Sequence, residues 1–135
     1  MLRWLSAALA VISIGLVTTL GGREAQAQDR KLVIKNGESV ELHSVFYIVK
    51  CRSIMIGLPE IDVVEGPPEL KLSIKEGDVI PRNFNCAKPV QGGTLIVTAK
   101  DIAAPKSEKL TYRLKYKTKD GERQTARSYD VSLFP

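Results

Sequence analysis

The sequence predicts an all-β protein, an antiparallel β-sandwich of about seven to eight strands with one disulfide. Three observations carry that expectation. Apolar and polar residues alternate with a period of two in several segments. Turn dipeptides recur every ten residues or so, and no segment shows the periodicity of a long amphipathic helix.

Residues 1–27 stand apart from the rest. Met1-Leu2-Arg3 is a short basic start, followed by an apolar run from Trp4 to Val17 and closed by Ala25-Gln26-Ala27. Charged start, apolar centre and A-x-A end are the three parts of a secretory signal peptide, here expected to be cut after Ala27. A retained membrane anchor is the competing reading. The run is shorter than the roughly 20 residues needed to span hydrocarbon, and Ser6, Ser13, Gly15, Thr18 and Thr19 dilute it. No cysteine follows it to carry a lipid, and no second apolar stretch is long enough to span. The expected product is residues 28–135, a single periplasmic or secreted domain that is not an integral membrane protein after cleavage.

Within that domain, Lys31–Lys35 is a short apolar run ended by the turn dipeptide Asn36-Gly37. Ser39 to Val49 is rich in β-branched and aromatic residues and suits one long or two short strands leading to Cys51. The stretch Ser53 to Pro59 reads as a turn or short helix, and Glu60–Glu65 as a strand stopped by Gly66-Pro67-Pro68. Leu70, Leu72 and Ile74 alternate with Lys71, Ser73 and Lys75; Glu76-Gly77-Asp78 then reads as a turn. Gly92-Gly93 reads as another turn before Leu95, Val97 and Ala99, which alternate with Ile96, Thr98 and Lys100. The cleanest alternation sets Leu110, Tyr112, Leu114 and Tyr116 against Thr111, Arg113, Lys115 and Lys117. Asp120-Gly121 supplies a hairpin turn, and the return strand from about Glu122 to Phe134 has Tyr129, Val131 and Leu133 on its apolar side.

Length, strand count and the closing hairpin resemble the immunoglobulin-like or fibronectin-III-like domains of exported bacterial proteins. The resemblance is one of strand pattern over the mature chain and implies an Ig-like sandwich. It carries no function, because this architecture hosts many. The immunoglobulin core Trp between two cysteines is absent, since Trp4 lies in the leader.

Cys51 and Cys86 both fall in the exported part, and an even count in an oxidising compartment reads as one disulfide. Two buried thiols or a redox pair are the alternatives, and the spacing is unlike Cys-x-x-Cys. Closing a loop of about 36 residues stabilises by roughly 3–4 kcal/mol in the chain-entropy account.

The whole chain carries 20 basic and 15 acidic residues. Without Arg3, Arg23 and Glu24 the balance is 18 to 14, mildly favouring acidic partners without the signature of a nucleic-acid binder. Arg113, Lys115 and Lys117 share one side of a strand, and Arg123 and Arg127 lie on its hairpin partner. If the register aligns them, five cations form one surface for an anionic glycan or an acidic exported protein. The competing reading is an ordinary solvated face whose lysines discourage edge pairing. Leu58-Pro59 and Pro67-Pro68 are further candidate contacts, as stiff loops.

No catalytic residue, metal-ligand set or cofactor is expected. His43 is the single histidine and lacks companions at metal-ligand spacing. Glu38 with Glu41, Asp62 with Glu65, and Glu76 with Asp78 read as solvated carboxylates. A Gly-x-Ser-x-Gly elbow for a hydrolase around His43 is missing, as is a P-loop. The clear outward Lys and Arg positions and the few aromatics argue against an outer-membrane barrel. The sequence therefore points to a small exported non-enzymatic binding or interaction module. An inhibitor or chaperone-like accessory of another exported protein is the alternative.

Overall fold

A computed structural model describes residues 30–135; the expected leader, residues 1–27, lies outside them. The strands are β1 (Arg30–Lys35), β2 (Ser39–Val45), β3 (Ile48–Val49), β4 (Arg52–Ser53), β5 (Glu60–Glu65) and β6 (Leu70–Val79). A 3₁₀ turn (Arg82–Phe84) follows, then β7 (Val90–Ala99), β8 (Lys106–Thr118) and β9 (Gly121–Phe134). The larger sheet has the order β1-β9-β8-β5 and the smaller one β2-β7-β6, while β3 and β4 pair only with each other. Seven long strands thus build the all-β sandwich, and the two-residue strands of the β3–β4 hairpin bring the total to nine. Among the described residues no helix is long and apolar enough to cross a membrane.

Alternation decides which side of each strand is dry. Leu110, Tyr112, Leu114 and Tyr116 of β8 are buried, as are Tyr129, Val131 and Leu133 of β9 and Leu95, Val97 and Ala99 of β7. Ile34 and Val45 join them, and Leu70, Leu72 and Ile74 of β6 pack against the same core. Each fully buried aliphatic side chain contributes about 1.5–3 kcal/mol relative to exposure.

Not every pairing is antiparallel, because β1 runs parallel to β9, from Arg30 beside Tyr129 to Lys35 beside Phe134. The reason is the corner at Asn36-Gly37. The Asn36 amide donates to the Phe134 carbonyl of the larger sheet at 2.8 Å. One residue later, the Gly37 amide donates to the Ala99 carbonyl of the smaller sheet at 2.9 Å. Gly37 takes φ +82°, and the chain changes sheets there rather than folding back as a hairpin.

Two expected turns are strand. β6 runs through Glu76-Gly77-Asp78, and β7 runs through Gly92-Gly93. The pairs Glu76 with Gly93, Gly77 with Gly92 and Asp78 with Gln91 continue the ladder without a break. A Cβ on Gly92 would strike the Val45 carbonyl oxygen, and one on Gly93 would lie 2.8 Å from the Lys75 carbonyl oxygen. These glycines serve close backbone approach, not reversal.

Cys51 and Cys86 form the expected disulfide. It is not a bridge through the core. It ties the β3–β4 turn, where Lys50 and Cys51 have positive φ, to the segment just after the 3₁₀ turn.

The β8–β9 hairpin pairs in continuous register from Lys106 with Leu133 to Thr118 with Gly121. On its far side β8 is covered by β5 over Thr111–Lys115 and by Ile54 and Ile56, which hydrogen-bond to Lys119 and Lys117. On the far side of β9, β1 covers only Tyr129–Phe134. Residues 121–128 of β9 have no second strand neighbour among the described residues.

Candidate functional site

The register separates the five candidate cations. Arg113, Lys115 and Lys117 stand opposite Ala126, Gln124 and Glu122 and share the outer face with them. Arg123 and Arg127 stand opposite Tyr116 and Tyr112, whose side chains are buried, and so belong to the inner face. One five-cation surface does not exist. The phase of Tyr129, Val131 and Leu133 already implied this, since Arg123 and Arg127 occupy the same odd positions of β9.

On the outer face the cations meet carboxylates. Arg113 pairs across the ladder with Asp62, Lys115 with Glu60, Lys117 with Glu122, and Lys109 with Asp130. The Lys115 ammonium lies 3.8 Å from an Asp62 oxygen. Such a face has mixed charge and little net field. Of the proline loops, Leu58 and Pro68 are exposed. Pro59 and Pro67 are both buried and flank β5 at opposite ends.

The inner face differs. Beyond Tyr129 towards the hairpin turn, the inward residues of β9 are Arg127, Thr125 and Arg123, which cannot fill a dry core. The sandwich is open there, with a cleft of about 830 Å³ lined by Arg30, His43, Asp78, Arg82, Phe84 and Arg127, among others. A second lobe of about 400 Å³ shares His43, Phe84 and Arg127 and adds Tyr47, Tyr116 and Thr125. Arg127 therefore stands between a basic lobe and an aromatic one. Arg30, Arg82 and Arg127 make no ion pair among the described residues, and Asp78 is the acidic residue at the basic lobe.

A column of rings joins two residues that line the cleft, His43 and Arg30, through the buried Tyr112 and Tyr129. His43 stacks on Tyr112 at 6.1 Å between centroids, Tyr112 on Tyr129 at 6.1 Å, and the Arg30 guanidinium lies 6.0 Å from the Tyr129 centroid. β2, β8, β9 and β1 each supply one member, so both sheets fix the column. The His43 Nδ1–H donates to the Ser44 carbonyl at 2.9 Å, which leaves Nε2 to accept from the Tyr112 hydroxyl at 2.8 Å. Burial holds the His43 imidazole below its ordinary pKa, with the nearby Arg127 and Arg30 charges acting in the same direction against the Ser44 bond. Burial likewise raises the Tyr112 phenol, assisted by Tyr129, and it raises Tyr116. With both ring nitrogens engaged, His43 is held in the column and presents no free base.

The rim is held covalently. Phe46 packs edge-on against Phe84 at 5.7 Å, and Tyr47 lies against Tyr116 at 5.4 Å. Cys51–Cys86 joins the hairpin that follows Phe46 and Tyr47 to the turn that carries Arg82 and Phe84. The disulfide thus fastens one wall of the cleft to the other. Arg30, Phe46, Arg82 and Phe84 carry no sequence motif, and only the packing of distant segments gathers them. No family model, curated protein or solved structure matches this chain.

Proposed function

We propose that this chain is a small exported, non-enzymatic binding module. In this reading it is an Ig-like sandwich, periplasmic or secreted after cleavage following Ala27. It takes an acidic ligand in the cleft between its sheets, not over the outer face. One observation carries the choice of site: the cations of the outer face have carboxylate neighbours, whereas Arg30, Arg82 and Arg127 converge on an open cleft with Asp78 as the acidic member. The aromatic lobe beside Arg127 adds a place for an apolar group. The division of seven long strands between sheets of four and three, with the final hairpin in the larger, supports the Ig-like reading. The disulfide clamping a rim supports an oxidising compartment.

The partner is an acidic exported protein or an anionic glycan. An inhibitor or chaperone-like accessory of another exported protein is the second reading, and the uncovered half of β9 favours it. The test is a binding titration against a sulfated oligosaccharide and an acidic protein fraction from periplasmic extract. Arg127→Glu should abolish salt-sensitive binding, and the Arg113→Glu/Lys115→Glu/Lys117→Glu combination should leave most of it. The reverse ranking overturns the cleft as the site.

A further inference from the structure

The uncovered edge of β9 and the cleft are parts of one surface. Antiparallel pairing turns successive residues alternately toward and away from the partner strand. The turn closes on the pair Thr118 with Gly121, so the amides and carbonyls of Glu122, Gln124 and Ala126 point off the edge of the sheet. None of the three makes a backbone hydrogen bond outside the β8–β9 ladder among the described residues. The Arg123 Nη1 donates to the Glu122 carbonyl at 2.9 Å, which places its guanidinium at the edge itself. The alternating residues, Arg123, Thr125 and Arg127, turn their side chains to the inner face, and Thr125 and Arg127 line the cleft.

We propose that this edge receives an extended peptide segment as an added strand, with acidic side chains at positions i and i+4 and an apolar one at i+2. The proposal rests on the cleft reading and names the class of partner. The spacing follows from the strand. Arg123 and Arg127 are four residues apart, about 13 Å at strand rise, and a neighbouring strand keeps that interval. Its acidic side chains meet the two guanidiniums, and the side chain between them enters the aromatic lobe beside Thr125 and Tyr116. Main-chain bonds supply affinity and the alternate side chains supply selection.

A second copy of this chain is the poorer occupant. Antiparallel self-pairing centred on Thr125 brings Arg123 of each copy against Arg127 of the other, and both copies are net basic. The inward arginines thus oppose self-association while favouring an acidic strand.

The test uses the purified protein with its disulfide intact and a fluorescently labelled, capped nine-residue peptide. The peptide has glutamates at its third and seventh positions and valine at its fifth. Moving the second glutamate by one position puts it on the opposite face and should weaken binding about tenfold. Methylating alternate backbone amides should abolish binding in one phase and spare it in the other, because only one set of amides faces β9. On the protein, Ala126→Pro removes an edge-facing N–H without touching the bonds to β8 and should give the same loss. Equal binding by both methylated peptides overturns the edge proposal, and that measurement needs only the wild-type protein. Failure of every peptide, while the sulfated oligosaccharide still binds through Arg127, overturns the edge and leaves the cleft reading standing. Loss of both probes overturns the two together.

Discussion

The two halves of β9 share one strand and one periodicity but do different work. From Tyr129 to Phe134 the strand lies between β8 and β1, and its inward residues Tyr129, Val131 and Leu133 are buried. From Gly121 to Ser128 it has β8 alone, and its inward residues are Arg123, Thr125 and Arg127. The first half contributes to the stability of the fold. The second carries groups that a dry core rejects, so the sandwich stays open around it. Stability and the proposed recognition are separated along a single strand by a change in what the inward positions hold.

The largest expected effect lies where the two halves meet. Tyr112→Ala should cost about 3–5 kcal/mol in urea unfolding, because it empties a fully buried site and leaves His43 Nε2 without its donor. A loss no larger than that of a surface substitution would mean that the ring column is not part of the core. Removing the disulfide with Cys51→Ala/Cys86→Ala should cost about 2–4 kcal/mol. It should also broaden the amide signals of Arg82, Phe84, Phe46 and Tyr47 while sparing Tyr129–Phe134. Uniform broadening would break the assignment of the clamp to the cleft rim.

A smaller effect is expected from pH. The folded-state pKa of His43 lies below its ordinary value of 6.5, so the unfolded chain binds the proton more readily. His43 then contributes stability above about pH 6.5 that is lost as pH falls through the folded value. Denaturation midpoints measured downward from pH 7 should decline, and His43→Gln should flatten that decline. An unchanged slope in the variant would remove His43 as its source. The smallest effect belongs to the outer face. Lys115→Ala breaks an exposed pair with Asp62 and should change stability by less than about 0.5 kcal/mol. Thr125→Val, in the open half of β9, should be similarly mild for folding while altering binding in the aromatic lobe.

Much of this was legible in the residues. The alternation of Leu110 to Lys117 and the Asp120-Gly121 turn give the β8–β9 hairpin, with Gly121 at φ +107°. The pairing of Cys51 with Cys86 follows from an even count of two and the expected oxidising compartment. Gly77 and Gly92-Gly93 read as turns when only neighbours in the chain are considered. In Gly92-Gly93 the reason for glycine lies at Val45 and Lys75, far off in sequence. A shared face for the five cations depends on register, and β9's own phase through Tyr129, Val131 and Leu133 turns Arg123 and Arg127 inward, away from Arg113, Lys115 and Lys117.

The sequence alone determined the local chemistry: strands by their period, a hairpin by its glycine, a crosslink by its cysteines, and which side of each strand must be dry. Those properties depend on a few neighbouring residues and on the transfer of apolar side chains from water. Tertiary structure decided the parallel β1, the corner at Gly37, the uncovered edge and the cleft. Each depends on which strand lies beside which, and Arg30, His43, Arg82 and Arg127 become neighbours only when the two sheets pack.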